Sequence, residues 1–575
     1  MILQALTQLY QDLSARGDIA RRGWNNQKIS YALCLAEDGS LSEAVPLYVE
    51  EQLGKKTVLR PRKMELPAAV TRSSGVQPNF LWDNSSYLLG VDEKGKPDRS
   101  LKCFEACAEL HHRLLDNVDC AAARAVLAFF DTWQPQSARL HPALANCWED
   151  LMKGANLVFR FDGRFVQEDP AIQAAWDGEY GRSEGEKVQC LVTGRPDVPE
   201  PVHPNIKGVA GAQSSGAAIV SFNAPALCSY GKEQSLNAPV GKYAAFAYTS
   251  ALNYLLADRD NVQRIGDTTV VCWAEGAEPA YQKFAIASLF GAQLPDQITT
   301  DTLRAAVKHL ANNEPIEELN LDPSRNFNIL GLAPNAARLS VRFFCRNTFG
   351  ELMRNVNAHH ERMRIVGSYN DWIPLWAMLR ETVNLKSTDK SPSPVVAGAT
   401  ARAIFTGLPY PAALLEATML RIRAEREITP GRAAILKAYY LRNPNPQCPE
   451  EVLHVSLNEN STNIPYTLGR LFAVYEAVQE QANPGINATI KDKYFNSAAS
   501  IPATIFPILD NLCQKHLRKL QPGLRVFYDQ QIAQLKNILE ETNPVRLTLP
   551  EQGSFNLGYY HQKQSRYNKK EENEE

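Results

Sequence analysis

The sequence predicts an α+β protein: a mixed α/β N-terminal body followed by an all-α C-terminal helical bundle. Three observations carry this expectation. Helix-period and strand-period segments interleave over residues 1–350, and beyond Phe349 the 3.6-residue period dominates. The length, 575 residues, also exceeds the roughly 250–300 that a single core accommodates. We therefore expect a body over 1–350, a helical connecting region over 351–450 and a bundle over 451–575, with a disordered tail at 565–575.

The elements follow in order. MILQALTQLYQDL places apolar residues at Ile2, Leu6, Leu9, Tyr10 and Leu13, an amphipathic helix rather than a signal peptide. ISYALCLA and LSEAVPLYV flank EDGS as a β-hairpin. Residues 51–63 hold Lys55, Lys56, Arg60, Arg62 and Lys63 without clear periodicity and read as an exposed basic loop. SYLLGVDEKGKPDRS reads as a strand and turn leading into helices at about 100–131 and 143–153. NLVFRFDGRFVQED is a second hairpin about Asp162-Gly163, followed by the Pro-rich connection RPDVPEPVHPNIKG. VGKYAAFAYTSALNYLLAD and EPAYQKFAIASLF read as helices around the buried strand DTTVVCWAE, with further strands at NFNILGLAPN and LSVRFFCRNTF.

In the C-terminal part, YTLGRLFAVYEAVQEQ carries Leu468, Leu471, Phe472, Tyr475 and Val478 on one face. IFPILDNLCQKHLRKL and LRVFYDQQIAQLKNILEE repeat the pattern, and Pro/Asn-containing loops join them into a bundle.

Composition narrows the class. Apolar residues are 44% and charged residues 22%, with a net charge of -2, so nothing global advertises nucleic acid, although local patches can. No run of about 18 apolar residues predicts a membrane span. Eleven cysteines without a CxxC pair suit a reducing, cytoplasmic setting.

Enzymatic and metal motifs fail on spacing. Cys103, Cys107, His111 and His112 sit at helical spacing, but a buried helix explains them better than zinc. GVDEKGKP matches seven positions of a phosphate-binding loop and then offers Pro97 where a hydroxyl is needed, so a hairpin tip is the better reading. His359-His360-Glu361 is not HExxH and reads as a solvated helix face. No catalytic constellation, cofactor or metal is expected.

Two Ser-Ser-Gly stretches stand out, RSSGVQPNFLWDNSSYLLG and GAQSSGAAIVSFNAPALCSYGKEQ. Glycines and hydroxyls can approach a phosphodiester closely, here Ser73, Ser74, Gly211, Ser214 and Ser215. Asn79, Asn84, Gln213 and Asn223 carry the paired donors and acceptors that base edges require, with Lys207 and Lys232 nearby for phosphates. The same pattern also fits turns whose Ser and Asn side chains satisfy their own backbone. A second basic surface is expected between Arg421 and Arg442, including Arg423, and on the helix face of Lys515, Arg518 and Lys519. Solvated faces explain these equally well.

RRGWNNQKISYALCLAEDG, RSSGVQPNFLWDNSSYLLG, QSSGAAIVSFNAPALCSYGKEQSLNAPVGKYAAFAYTSALNYLL and STNIPYTLGRLFAVYEAVQE together resemble the large subunit of the subtype I-C CRISPR Cascade. The resemblance implies a non-catalytic subunit of an RNA-guided complex, which recognises the protospacer-adjacent motif in double-stranded DNA and promotes strand opening. It implies as partners CRISPR RNA, target DNA, the CRISPR RNA-processing subunit, backbone subunits, small subunits resembling its own C-terminal bundle, and a helicase-nuclease. It also implies that Ser73, Ser74, Asn79, Asn84, Lys207, Gly211, Gln213, Ser214, Ser215, Asn223 and Lys232 lie in motif-reading segments. Lys55, Lys56, Arg60, Arg421, Arg423, Lys515, Arg518 and Lys519 would contact backbone or the displaced strand. A bridging subunit without DNA contacts, or a nucleotide hydrolase using GVDEKGKP, are the rival readings.

Overall fold

The computed structural model describes residues 1–53, 56–70, 76–91, 96–181, 185–222, 224–258, 262–291, 299–369, 372–388, 390–539 and 543–571. The α+β class holds. The chain forms two compact units, one of Leu3–Pro204 with Phe222–Ala251, the other of Asn205–Ser221 with Leu252–Glu575. The division therefore does not fall at 350 or 450. One continuous core runs from Ile265 to Tyr560, because the helices after Phe349 cover the sheet that precedes them.

In the first unit the Ile2–Ala15 helix buries Leu6, Leu9, Tyr10 and Leu13, as its spacing predicts. Tyr31–Leu35 pairs antiparallel with Leu41–Pro46, the expected hairpin, and parallel with Asn156–Phe161. Asp162 and Gly163, both at positive φ, turn the chain into Arg164–Phe165.

Three expectations fail here. The basic loop is a β-ribbon: Tyr48–Leu53 pairs with Lys56–Pro67, which also pairs with Trp24–Ile29. Met64 and Leu66 are buried while Lys63 and Glu65 face out on the other side of the strand; Arg60 and Arg62 share the side of Met64 but precede its buried stretch. SYLL is a helical turn, Ser85–Leu88, and the next helix begins at Pro97 in the favoured first position. The described residues on either side of GVDEKGKP thus belong to helical elements, and the expected hairpin tip, residues 92–95, lies outside the described set. The helix expected at 143–153 shrinks to Trp148–Met152 after a 3₁₀ turn at Pro142–Leu144.

In the second unit Gln263–Ile265, Thr268–Ala274, Asn326–Asn335 and Arg338–Thr348 form an antiparallel sheet in that order. Thr268–Ala274 is buried throughout, so both faces of the sheet are covered. Among the helices that follow, Ile464–Ala482 is buried at every position from Pro465 to Val478. Its principal partner is Leu549–Glu571, a helix where a disordered tail was expected from 565. Residues 565–571 continue that helix, and 572–575 lie outside the described set.

Glycine sets the closeness of this pair. A methyl group on Gly469 would overlap the Phe555 carbonyl oxygen, and one on Gly558 would overlap the Tyr466 carbonyl oxygen. Polar side chains close the seam: Arg470 Nε donates to Gln562 Oε1 at 3.0 Å, and the Tyr559 hydroxyl donates to Glu476 Oε2 at 2.6 Å.

Buried histidines recur through the molecule. His111 Nε2 accepts the Leu81 N–H at 2.9 Å and Nδ1 donates to the Cys107 carbonyl at 2.7 Å, committing the ring to the core. His359 and His360 are buried, which corrects the expected solvated face. His360 stacks on Trp372 at 3.5 Å between centroids, and His359 bonds the Tyr410 hydroxyl at 2.6 Å. Burial lowers His111 to about 4, His360 and His561 to about 3, and His359 well below the usual value.

Two outcomes are expected. Gly469→Ala or Gly558→Ala forces the two helices apart and destabilises the second unit by about 3 kcal/mol or more, read as a lower urea midpoint. Because these histidines stay neutral when folded and take up protons only when unfolded, stability falls as pH drops below about 6.5. Each group contributes a loss of about 1.4 kcal/mol between pH 7.5 and 5.5, and a melting temperature unchanged across that range would contradict it.

Candidate nucleic-acid interface

The Gly-Ser stretch does not stay together. Residues Asn205–Ser221 belong to the second unit, and Phe222 onward to Ala251 belongs to the first. Asn223, Ser73 and Ser74 lie outside the described residues.

Within Asn205–Ser221 the chain makes a narrow loop on the sheet of the second unit. Ile206 and Ala217 bridge across its base, and Ala218 bridges in parallel to Arg338. Gly208, Gly211 and Gly216 all have positive φ, at 91, 78 and 93°. A methyl group at Gly216 would meet the Ile206 carbonyl oxygen and Asn205 Cβ at 2.8 Å, so glycine is required there on both counts.

Two residues remote in sequence fix the base. Asn253, on the Lys242–Ala257 helix, accepts the Lys207 N–H at 2.7 Å and donates to the Asn205 carbonyl at 3.1 Å. Thr269, on the buried strand, accepts the Ala210 N–H at 3.0 Å through its hydroxyl. Gln213 closes the tip, its carbonyl accepting the Gly216 N–H at 2.9 Å. The side chains of Lys207, Gln213, Ser214 and Ser215 are then left exposed. The result is a rigid turn that displays one cation and three neutral donor-acceptor groups, chemistry suited to a nucleic acid edge.

The other candidates are placed differently. Asn79 is buried, its Oδ1 accepting the Val70 N–H at 2.9 Å and its own N–H bonding Asp83. Asn84 caps the Ser85–Leu88 turn by accepting the Ser86 N–H at 3.0 Å. For these two the turn-forming account describes what the side chains do. Lys232 is exposed on a loop of the first unit that Asn237 clamps through bonds to Ser229, Lys232 and Gln234. At the apex of that loop Tyr230 is 100% exposed with φ 55°, an uncommon backbone state for a bulky side chain.

Arg60 pairs with Glu51 at 3.0 Å across the ribbon; Lys55 lies outside the described residues, and of Lys56 only the strand position is described. The basic surface between Arg421 and Arg442 is not one exposed track. Arg421 pairs with Glu425 at 3.5 Å, Arg423 donates to Gln552 at 2.6 Å, and Arg432 and Lys437 are buried. The Arg421 pair lies within its own helix, Ala412–Glu425, while Arg423, Arg432 and Lys437 tie that helix and the next to other elements. Lys515, Arg518 and Lys519 do remain exposed, clustered at the end of Pro502–Leu517, where a helix C-terminus favours positive charge.

Sequence reasoning passed over Asn253, Thr269 and Tyr230. It also passed over Arg338, Arg342 and Arg346 on the edge strand, the last two paired with Asp267 at 2.7 Å and Glu275 at 2.5 Å. The arginines' even spacing in RLSVRFFCR was legible; the anchoring role of Asn253 was not.

No group of three His, Cys, Asp or Glu side chains among the described residues is placed to hold a metal, and no described helix is long and apolar enough to cross a membrane. A family model described as CRISPR-associated protein, Cas_Csd1, matches residues 6–567. A search of curated proteins finds no match.

The loop generates a sharp expectation. Asn253→Ala removes both clamps and leaves two backbone groups without their partner, so proteolysis between residues 207 and 216 should accelerate about tenfold. The overall melting temperature should fall by only a few degrees, because the helix itself keeps its apolar packing. Unchanged cleavage would show that the glycines alone hold the turn.

Proposed function

The chain belongs to the Cas_Csd1 family of CRISPR-associated proteins, and from that footing we propose that it is the large subunit of a subtype I-C Cascade, reading the protospacer-adjacent motif with the Asn205–Ser221 loop. The observation that carries the proposal is the pinned turn itself: Gln213, Ser214 and Ser215 are held out from a base that Asn253 and Thr269 fasten by hydrogen bonds and that three positive-φ glycines allow to turn. Neutral amides and hydroxyls suit minor-groove readout, where the task is chiefly to separate A·T from G·C. Lys207 adds a phosphate contact without base preference.

In this reading the protein is non-catalytic. It holds the flanking duplex, helps separate the strands for guide pairing, and presents the complex to a helicase-nuclease. The exposed Lys515, Arg518 and Lys519 cluster follows the displaced strand by charge alone. The CRISPR RNA, its processing subunit, the backbone subunits and small subunits are its partners within the assembly. Against the nucleotide-hydrolase reading stands the setting of GVDEKGKP, which follows a helical turn where a phosphate-binding loop follows a strand.

The test is target binding by the guide-loaded complex, reconstituted with and without this chain, on duplexes whose three flanking base pairs are randomised. Flank selectivity should appear only when the chain is present. Gln213→Ala should reduce it about tenfold while assembly is unchanged, the scale of one lost base contact. Selectivity that survives Gln213→Ala and Ser214→Ala together would favour the bridging-subunit reading.

A further inference from the structure

The first unit carries a cleft that the proposed function does not use. An open cleft of about 560 Å³ is lined by Gln4, Gln8, Gln11, Arg22, Arg195 and Tyr243, a volume within the range of small-molecule sites. One wall is the polar face of the Ile2–Ala15 helix. Gln4, Gln8 and Gln11 recur at i, i+4 and i+7 and form a row of carboxamides opposite the buried Leu6, Leu9 and Leu13. Gln11 Nε2 donates to the Tyr243 hydroxyl at 3.2 Å, which ties the row to a neighbouring aromatic ring.

The facing wall is a tight knuckle, Cys190 to Asp197. Val188–Gln189 pairs with Pro196–Asp197, and within the turn Cys190 N–H donates to the Arg195 carbonyl at 3.0 Å. The Gly194 N–H returns to the Cys190 carbonyl at 2.8 Å, and the Cys190 sulfur accepts the Gly241 N–H at 3.2 Å. Arg195 is therefore presented from a turn with little freedom.

Charge in the cleft is unevenly satisfied. The Asp197 carboxylate is taken up by backbone donors, Val198 N–H at 2.8 Å and Tyr243 N–H at 3.1 Å. No carboxylate among the described residues lies within ion-pair distance of Arg22 or Arg195, although Arg22 sits in the field of Glu200 and its guanidinium lies 5.9 Å from the centre of the Tyr180 ring. Two guanidiniums beside three carboxamides combine a phosphate-binding fork with groups that donate and accept along the edge of a heterocycle. We propose that this cleft binds a nucleotide, its phosphate on Arg22 and Arg195 and its base against the glutamine row. The nucleotide is either free or one residue of a single strand.

The full chain is to be irradiated with 8-azidoadenosine monophosphate, or with a short single-stranded RNA bearing one 8-azidoadenosine, and the labelled peptides identified by mass spectrometry. Label is expected in the 2–15 or 188–197 segment. Arg195→Gln and Gln8→Leu should each weaken it about tenfold, with melting temperatures unchanged. Labelling by the monophosphate identifies a free nucleotide, and labelling by the RNA alone identifies a strand residue; either supports the cleft. Label only at other segments, none with either probe, or label insensitive to both substitutions overturns it. Neither result depends on Gln213, so this proposal and the motif-reading proposal fail separately.

Discussion

The backbone contact between Ile464–Ala482 and Leu549–Glu571 is the constraint on which the second unit depends. A helix buried around its whole circumference must find partners on every side, and this one finds its closest across two glycines. At such a separation, side chains at the crossing are replaced by direct backbone packing, so the seam tolerates no added carbon. The neighbouring polar groups then become obligatory. Glu476 is buried and receives the Tyr559 hydroxyl as well as the Thr489 hydroxyl at 2.8 Å, while Arg470 reaches Gln562. Each of these would be costly if left alone, and each has its partner on the element that the glycines bring near.

That seam also marks where sequence reasoning stops. The Ile464–Ala482 helix was legible from Leu468, Leu471, Phe472, Tyr475 and Val478, yet those residues describe one face, and the structure buries all faces. The partner was not legible. Its buried positions include Gln552, Ser554, Asn556, His561 and Gln562, so hydrophobic periodicity has little to grip. The basic ribbon was missed for the converse reason: the alternation of Met64 and Leu66 with Lys63 and Glu65 is present, but charge and an internal Pro61 masked it. Strands with apolar runs, such as Thr268–Ala274, and the turn at Asp162-Gly163 were read correctly because local chemistry alone specifies them.

The candidate interface divides along the same line. Its glycines and neutral polar residues were visible as an unusual composition, and the exposed Gln213, Ser214 and Ser215 keep that reading open. What converts the segment from a loose connection into a shaped turn is Asn253 and Thr269, 46 and 59 residues away from the backbone groups they hold. Long-range hydrogen bonds of this kind carry no local signature. Equally, Asn79 and Asn84 shared the composition and proved to serve their own turns, so residue type alone did not separate display from scaffolding.

The position of Leu549–Glu571 in the core has a consequence for biosynthesis. The central helix is made some eighty residues before its closest partner, an interval in which Arg470 lacks Gln562 and Glu476 lacks Tyr559. The second unit thus cannot close until the ribosome has passed residue 571, and an interrupted chain would leave an open apolar groove for chaperones or proteases to find.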